Sequence, residues 1–293
     1  MLPKELIKRI RKLEITTRRV VTDTLAGQYH SVFKGRGMAF SEVRQYQPGD
    51  EIRIIDWNVT ARMNEAYVKV FTEERELTVM LVVDVSASKE FGSRERTKSE
   101  IAAEVAAQIA FSAIANNDRV GLILFSDRVE KVIPPKKGRK HVLRLITDIL
   151  TFKPQGKGTD LGAGLNYLSR VVKRKAVTFL VSDFLAPDYE APLRIVGRRH
   201  DLVPVVISDP LEAKFPRLGL VELEDPETGA QLLVDAGNPL VRGTFAKEMA
   251  RVREERRRLF KKLSLDHVEL DAGQDHGAAL ARFFRTRARR MAA

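Results

Sequence analysis

An acidic side chain and two hydroxyls follow an apolar segment in the first half of the chain. Residues 79–83 are all aliphatic or Met, and the chain continues with Asp84, Val85, Ser86, Ala87 and Ser88. Such an apolar run predicts a β-strand that is buried on both faces. In open α/β sheets, ligands bind just beyond the carboxyl ends of the strands. One carboxylate and two hydroxyls are therefore expected at a binding position.

Two later segments are expected to bring further oxygen-bearing side chains to the same edge of the sheet. Residues 156–160 read Gly-Lys-Gly-Thr-Asp before a predicted helix, and Ser182-Asp183 follows another predicted strand. The candidate ligands from the three loops are Asp84, Ser86, Ser88, Thr159 and Asp183. Hard divalent cations select all-oxygen surroundings, so we expect Mg²⁺, or else Mn²⁺ or Ca²⁺. The carboxylates are too few for a closed cage, so one coordination position should be open.

The same residues have a purely structural interpretation. Asp84, Ser86 and Ser88 could form a turn and cap the next helix, while Asp160 could cap a later one. Asp183 could begin a turn without meeting the other candidates. The order of the three segments within an alternating strand and helix pattern favours the metal site.

Enzymatic chemistries fit these residues less well. Residues 156–159 lack the Gly-x-x-x-x-Gly-Lys-Ser/Thr order of a phosphate-binding loop, and a phosphotransfer aspartate would require Asp-x-Asp where the chain has Asp84-Val85-Ser86. The five histidines show no paired spacing, and the Gly-x-Ser-x-Gly elbow is absent. Hydrolysis by a metal-bound water needs a general base and more ligand charge. We expect binding without turnover, with a metal-dependent phosphoester hydrolase as an alternative.

Strands that alternate with helices are predicted to position these loops. The predicted strands are residues 78–83, 120–125, 129–133, 176–181 and 202–207, with helical patterns between most of them. This alternation is typical of a mainly parallel sheet flanked by helices. The fold class predicted for this part of the chain is therefore α/β and Rossmann-like.

The chain is predicted to contain two domains. Residues 1–76 combine a basic amphipathic helix, built on Leu2, Leu6, Ile10 and Leu13, with a small β-containing region punctuated by Gly and Pro. Residues 77–293 form the α/β domain, with an excursion at about 210–264. Within it, the turn sequence at residues 225–229 predicts a hairpin insertion.

The amino-acid composition excludes several classes of protein. The 293 residues are 44% hydrophobic and 31% charged, as in a soluble globular protein. Cysteine is absent, which excludes disulfides, thiolate metal sites and cysteine nucleophiles. The N-terminus lacks the apolar core of a secretory signal, and no apolar run approaches the roughly 20 residues that span a bilayer. We therefore predict a cytoplasmic protein with no membrane span.

The formal net charge is +12, from 51 Lys plus Arg against 39 Asp plus Glu. Basic residues cluster in two predicted helices, at residues 250–263 and 278–290. Such charge favours an acidic partner without identifying it. The basic helices contain no series of aromatic residues that could stack on bases, and the sequence shows no known nucleic-acid-binding module. We therefore do not favour nucleic acid as the partner. A basic nucleic-acid-binding protein stays an alternative.

The pattern Asp84-x-Ser86-x-Ser88, followed by Thr159 and Asp183, resembles the metal-ion-dependent adhesion site of von Willebrand factor A domains. The resemblance implies a von Willebrand factor A-like fold. It also implies that the three hydroxyls contact the metal and that the two Asp side chains act directly or through water. In that family a carboxylate of a partner protein typically completes the metal's ligand shell.

The region before the first predicted strand resembles the bacterial domain of unknown function 58 family. The resemblance rests on residues 35–40, Gly-Arg-Gly-Met-Ala-Phe, residues 44–50, Arg-Gln-Tyr-Gln-Pro-Gly-Asp, and residues 53–57, Arg-Ile-Ile-Asp-Trp. It implies a MoxR-type AAA+ ATPase as partner and an adaptor role in the assembly or maturation of other proteins. The charged residues of this block either form an ion-pair network that locks the small region onto the α/β domain or present a partner surface through Arg36, Arg44 or Arg53.

Overall fold

The structure, a computed structural model, describes residues 10–11, 14–17, 25–33, 39–72, 76–90, 96–225, 227 and 229–292. The chain divides into two compact units, residues 33–77 and residues 1–32 with 78–293. This division differs from the predicted one because residues before 33 group with the larger unit. Most of the predicted opening helix, with Leu2, Leu6 and Leu13, lies outside the described residues, as do residues 34–38 and 73–75.

A short helix accounts for part of that difference. Helix α1, Ala26–Val32, belongs to the larger unit. The buried Tyr29 donates a hydrogen bond from Oη to Asp118 Oδ2 at 3.0 Å, and its ring packs edge-on against Phe284. A buried tyrosine hydroxyl needs such a partner. Tyr29 therefore ties this N-terminal helix to the α/β domain.

The smaller unit is built on one antiparallel strand pair. Strand β1, Ala39–Gln45, pairs with β2, Tyr67–Thr72, and α2, Trp57–Met63, lies between them in the chain. Arg44 binds both carboxylate oxygens of Asp50, at 2.7 and 2.6 Å. The Arg44 guanidinium, with the backbone N–H of Gln47, holds the pKa of Asp50 below its usual range. This ion pair lies within the small unit, so the predicted network that locks the small region onto the α/β domain stays a prediction.

The remaining strands belong to the larger unit. They are β3, Thr78–Asp84; β4, Arg119–Phe125; β5, Val129–Lys136; β6, Val177–Ser182; β7, Asp201–Ser208; β8, Leu220–Glu224; β9, Gln231–Asp235; and β10, Val268–Asp271. Six of them form the central sheet in the order β10-β7-β6-β3-β4-β5. All pairings in it are parallel except that of β5 with β4.

The strand order reverses next to β3. From β3 the chain adds β4 and β5 on one side, and it then returns to place β6, β7 and β10 on the other. The carboxyl ends of β3 and β6 therefore flank a topological switch point. In open α/β sheets such a point opens a crevice in which ligands bind.

Helices cover both faces of this sheet. The helices that follow β3 in the larger unit are α3, Lys98–Ala115; α4, Arg139–Thr151; α5, Leu161–Val171; α6, Glu190–Arg199; α7, Pro210–Ala213; α8, Pro239–Lys262; and α9, His276–Ala292. Met80 and Val82 of β3 belong to one buried cluster with Leu165 of α5 and Leu193 of α6. The alternate residues of β3 point to the other face and are equally buried. The predicted fold class, a mainly parallel sheet flanked by helices, is confirmed.

The predicted excursion leaves the sheet after β7. It contains α7, the antiparallel hairpin of β8 and β9, and α8, after which the chain returns as β10 beside β7. The predicted hairpin is thus present at the expected turn sequence. Among the residues that the structure describes, no helix combines the length and apolar character needed to cross a bilayer.

Candidate functional site

Asp84 joins the ends of two neighbouring strands. It is the last residue of β3 and is only 1% exposed. Its Oδ1 accepts hydrogen bonds from the backbone N of Ser86 at 3.0 Å and from Ser86 Oγ at 2.7 Å. Its Oδ2 accepts one from Ser182 Oγ at 2.7 Å, at the end of β6. A buried carboxylate requires such donors, and here they fix its position at the switch point.

The two serines after β3 extend this arrangement towards Asp183. The Oγ atoms of Ser86 and Ser88 are 3.1 Å apart, and Ser88 Oγ donates to Asp183 Oδ2 at 3.3 Å. Four of the five predicted ligands therefore form one continuous series of closely spaced oxygens from Asp84 to Asp183. The next α-helix, α3, is capped by Thr97, so these residues do not serve as its cap.

Asp183 is held in place from several directions. Its Oδ1 accepts a hydrogen bond from the backbone N of Leu185 at 3.3 Å, and its carbonyl accepts one from Arg256 Nη1 at 3.0 Å. The following residue, Phe184, has a positive φ of 57° and is buried in the core. That conformation is uncommon for a residue other than glycine and turns the chain sharply after the strand.

Lys98 is a site residue that the sequence pattern did not reveal. It lies at the start of α3, it is 1% exposed, and its Nζ is 2.8 Å from Asp183 Oδ2 and also contacts Glu212 Oε1. A buried ammonium requires this charge pairing. Glu212 lies in α7, where its other oxygen accepts a hydrogen bond from Asp209 N in a capping box. The sequence indicates the capping box, but it does not indicate the contact between Glu212 and Lys98.

Thr159 reaches the site on a loop that lies against the β3 turn. The backbone N of Ala87 donates to the Lys157 carbonyl at 3.3 Å. Thr159 Oγ1 donates to Glu227 Oε1 in the hairpin turn at 2.6 Å. Asp160 caps α5 by accepting from Gly162 N at 2.7 Å, so the predicted capping role applies to Asp160.

A carboxylate in β5 anchors the beginning of that loop. Glu130 Oε1 accepts hydrogen bonds from Ser126 Oγ at 2.7 Å and from the backbone N of Gly156 at 2.8 Å. Burial raises the pKa of Glu130, but these hydrogen bonds outweigh it and the pKa lies below the usual range. A Cβ at residue 156 would lie 2.4 Å from Ser126 Oγ, so this close approach requires glycine.

A cavity of about 540 Å³ opens beside these oxygens. Its lining includes three of the predicted ligands, Ser88, Thr159 and Asp183, together with Glu212 and Glu227. The rest of the lining is largely apolar and comes from the loop after β6, α7 and the segment after it, the hairpin and α8. Thr159 therefore faces the same space as the series of closely spaced oxygens, and the structure brings all five predicted residues to one region.

The donor set suits a hard cation. It combines serine and threonine hydroxyls with Asp carboxylates, and the carboxylates of Glu212 and Glu227 lie beside them. The Lys98 ammonium pairs with two of these carboxylates, Asp183 and Glu212. All-oxygen surroundings that include carboxylates fit Mg²⁺, Mn²⁺ or Ca²⁺. Within the described ranges, no three His, Cys, Asp or Glu side chains form a metal-binding group by themselves.

Known proteins resemble this chain in sequence and in fold. Rv1480 of Mycobacterium tuberculosis H37Rv, named an uncharacterized protein, is 32% identical over 96% of this chain and 89% of its own. Protein BatB from Bacteroides thetaiotaomicron is 16% identical, with a TM-score of 0.47 over 73% of this chain and 99% of that one. A von Willebrand factor type A structure from Catenulispora acidiphila is 11% identical, with a TM-score of 0.36 over 77% and 44% of the two chains.

The family model described as "Protein of unknown function DUF58" matches residues 42–255. This match covers most of the small unit, the three site loops and the hairpin. It confirms the family resemblance that the sequence motifs indicated. The chain belongs to the DUF58 family.

Proposed function

We propose that this protein is an interaction module that binds a divalent cation and, through it, a carboxylate of a protein partner. The ligands are Asp84, Ser86, Ser88, Thr159 and Asp183, and the cation is Mg²⁺, or else Mn²⁺ or Ca²⁺. The observation that carries this proposal is the series of closely spaced oxygens from Asp84 to Asp183, which lies at the switch point of the sheet and beside an open cavity.

The ligand types favour binding over turnover. A bound cation supplies Lewis acidity that attracts an incoming carboxylate. Because Ser86, Ser88 and Thr159 are neutral ligands, they leave more of the positive charge available to a partner than carboxylates in their place would. Asp84 fixes Ser86 through two hydrogen bonds, and Asp183 accepts one from Ser88, so the site is organised before any ligand arrives.

Membership of the DUF58 family supports a more specific partner. We propose that the protein is an adaptor for a MoxR-type AAA+ ATPase in the assembly or maturation of other proteins, and that it acts in the cytoplasm. The site itself requires only that the partner present an Asp or Glu side chain. Capture of a purified MoxR-type ATPase should occur in Mg²⁺ and be lost in chelator. Equal capture in both buffers would contradict a metal-dependent partnership.

The metal site is tested by calorimetric titration with Mn²⁺. Ser88→Ala removes one hydroxyl ligand and should weaken Mn²⁺ binding by at least about tenfold, a loss typical of disturbed metal sites. Ser208→Ala is the matched control, because Ser208 ends β7, two strands from β3, and its hydroxyl donates to the Leu270 carbonyl at 3.3 Å. Equal Mn²⁺ affinity in wild type and both variants would exclude Ser88 as a ligand.

A further inference from the structure

The hairpin turn carries a carboxylate into the cavity. Glu227 lies between β8 and β9, and its Oε1 accepts the hydroxyl of Thr159 at 2.6 Å. The turn itself orients this residue, because Glu227 N donates to Asp225 Oδ1 at 2.9 Å and Gly229 N donates to the Asp225 carbonyl at 2.7 Å. The position of Glu227 is thus defined by the turn and by Thr159 together.

The rest of the hairpin forms an apolar wall of the same cavity. Val221 and Leu223 of β8 are half-buried and line it, whereas the intervening Glu222 is exposed. Phe215 and Phe245 stack with their ring centroids 4.0 Å apart and also line the cavity. The base of the hairpin is closed by a hydrogen bond from Gly237 N to the Gly219 carbonyl at 3.1 Å.

Glu227 shares the cavity with other carboxylates, those of Asp183, Glu212, Glu224 and Asp225. The buried Lys98 pairs with Asp183 and Glu212. Carboxylates gathered around one cavity repel one another. A divalent cation held by Thr159 and its neighbours would reverse that repulsion and make Glu227 a ligand.

We infer that Glu227 is an internal carboxylate ligand of the cation site and occupies the place that a partner's carboxylate takes. The inference rests on the proposed function. It also specifies the kind of partner. The partner's binding segment presents Asp or Glu next to a bulky apolar side chain, as Glu227 is presented in the cavity that Val221 and Leu223 line. Such a segment must displace the hairpin turn, so the hairpin competes with partners for the site.

The test uses Mn²⁺ titrations of the full chain, with and without added acetate as a free carboxylate. Glu227→Gln keeps the size of the side chain and removes its charge, and Glu222→Gln makes the same change on the exposed side of β8. We expect Glu227→Gln to bind Mn²⁺ at least about tenfold more weakly than wild type. Acetate should restore binding in Glu227→Gln and leave wild type and Glu222→Gln unchanged, because their site already holds a carboxylate.

The outcomes separate this inference from the proposed function. If Glu227→Gln binds Mn²⁺ as wild type does and acetate changes nothing, Glu227 is no ligand, while the cation site stands. If wild type binds no Mn²⁺, the cation site and this inference both fail. Hydrogen exchange gives a second readout, since Mn²⁺ should protect the amides of β8 and β9 in wild type and in Glu222→Gln but not in Glu227→Gln. Protection in all three proteins would also overturn the inference.

Discussion

The Lys98 ammonium lies 2.8 Å from Asp183 Oδ2, the same oxygen that accepts the hydroxyl of Ser88. The same ammonium contacts Glu212, which lies in α7 before the hairpin. The buried Lys98 side chain therefore links Asp183, just after β6, to Glu212 at the start of the excursion. It stabilises the carboxylate that is proposed to bind metal.

Removal of this buried charge should destabilise the protein strongly. Lys98→Met leaves Asp183 and Glu212 without their ammonium, and breaking a buried ion pair typically costs about 3–5 kcal/mol. Lys262→Met is the control, because its pair with Glu190 is exposed and should contribute no more than about 1 kcal/mol. Urea unfolding of both variants measures the difference. Equal losses would mean that the Lys98 pair contributes no more than a surface contact.

Added cation should stabilise the folded protein. A ligand that binds only the native state, at about one hundred times its Kd, raises the free energy of unfolding by about 2.7 kcal/mol. We expect Mn²⁺ to raise the unfolding temperature of wild type and Ser208→Ala, and chelator to reverse this. The increase should be much smaller for Ser88→Ala at the same Mn²⁺ concentration. An identical increase in all three proteins would point to binding elsewhere.

Two glycine substitutions should have opposite effects on stability. A Cβ at Gly164 of α5 would lie 2.9 Å from Phe125 Cδ1 and 3.2 Å from Val82 Cγ1, both in the buried sheet. Gly164→Ala should therefore cost about 1–3 kcal/mol through overpacking. Gly243 of α8 has nothing within 4 Å of the same position, so Gly243→Ala should stabilise by about 0.5–1 kcal/mol. Denaturant midpoints report both changes.

Stability should fall as the solution becomes mildly acidic. Burial, aided by the nearby Arg199, lowers the pKa of His200 below its ordinary value of 6.5, and the His200 Nδ1 accepts a hydrogen bond from Ala176 N at 3.3 Å. Below pH 6.5 the unfolded chain binds the proton more readily than the folded protein does. The stabilising contribution of His200 to the free energy of unfolding is therefore complete above pH 6.5 and is lost as the pH falls below this value.

The measurement is the urea midpoint at about pH 7.5 and about pH 5.5, on either side of an ordinary histidine pKa. His200→Asn keeps an acceptor for Ala176 N but cannot titrate, so its midpoint should change less between the two pH values than that of wild type. His30→Asn serves as the control, since His30 is exposed. Parallel pH dependence in all three proteins would assign the acid sensitivity to other groups, such as His267, whose pKa is also lowered by burial.

The strands and their terminal loops could be predicted because local patterns determine them. The apolar run of β3 ends at Asp84, and β6 ends before Asp183 in the same way. Parallel strands that alternate with helices must end at one edge of the sheet, so the approach of Ser88 to Asp183 follows from topology. The metal that these residues are predicted to bind stays a prediction.

The remaining site residues could not be predicted, because long-range packing brings them there. Lys98 begins a helix and Glu212 is in a short helical turn, and no spacing in the sequence links residues 114 positions apart. Glu227 lies in a turn whose composition indicates only a change of chain direction. Its contact with Thr159 depends on where the hairpin lies on the rest of the α/β domain.

Strands β7 and β10 are adjacent, so the segment between them departs from and rejoins the sheet at neighbouring positions. The hairpin within this segment can therefore change in length or turn sequence without altering the order of any strand. Under the proposed function, such a change would alter which carboxylate reaches the ion, while the five predicted ligands lie outside the segment.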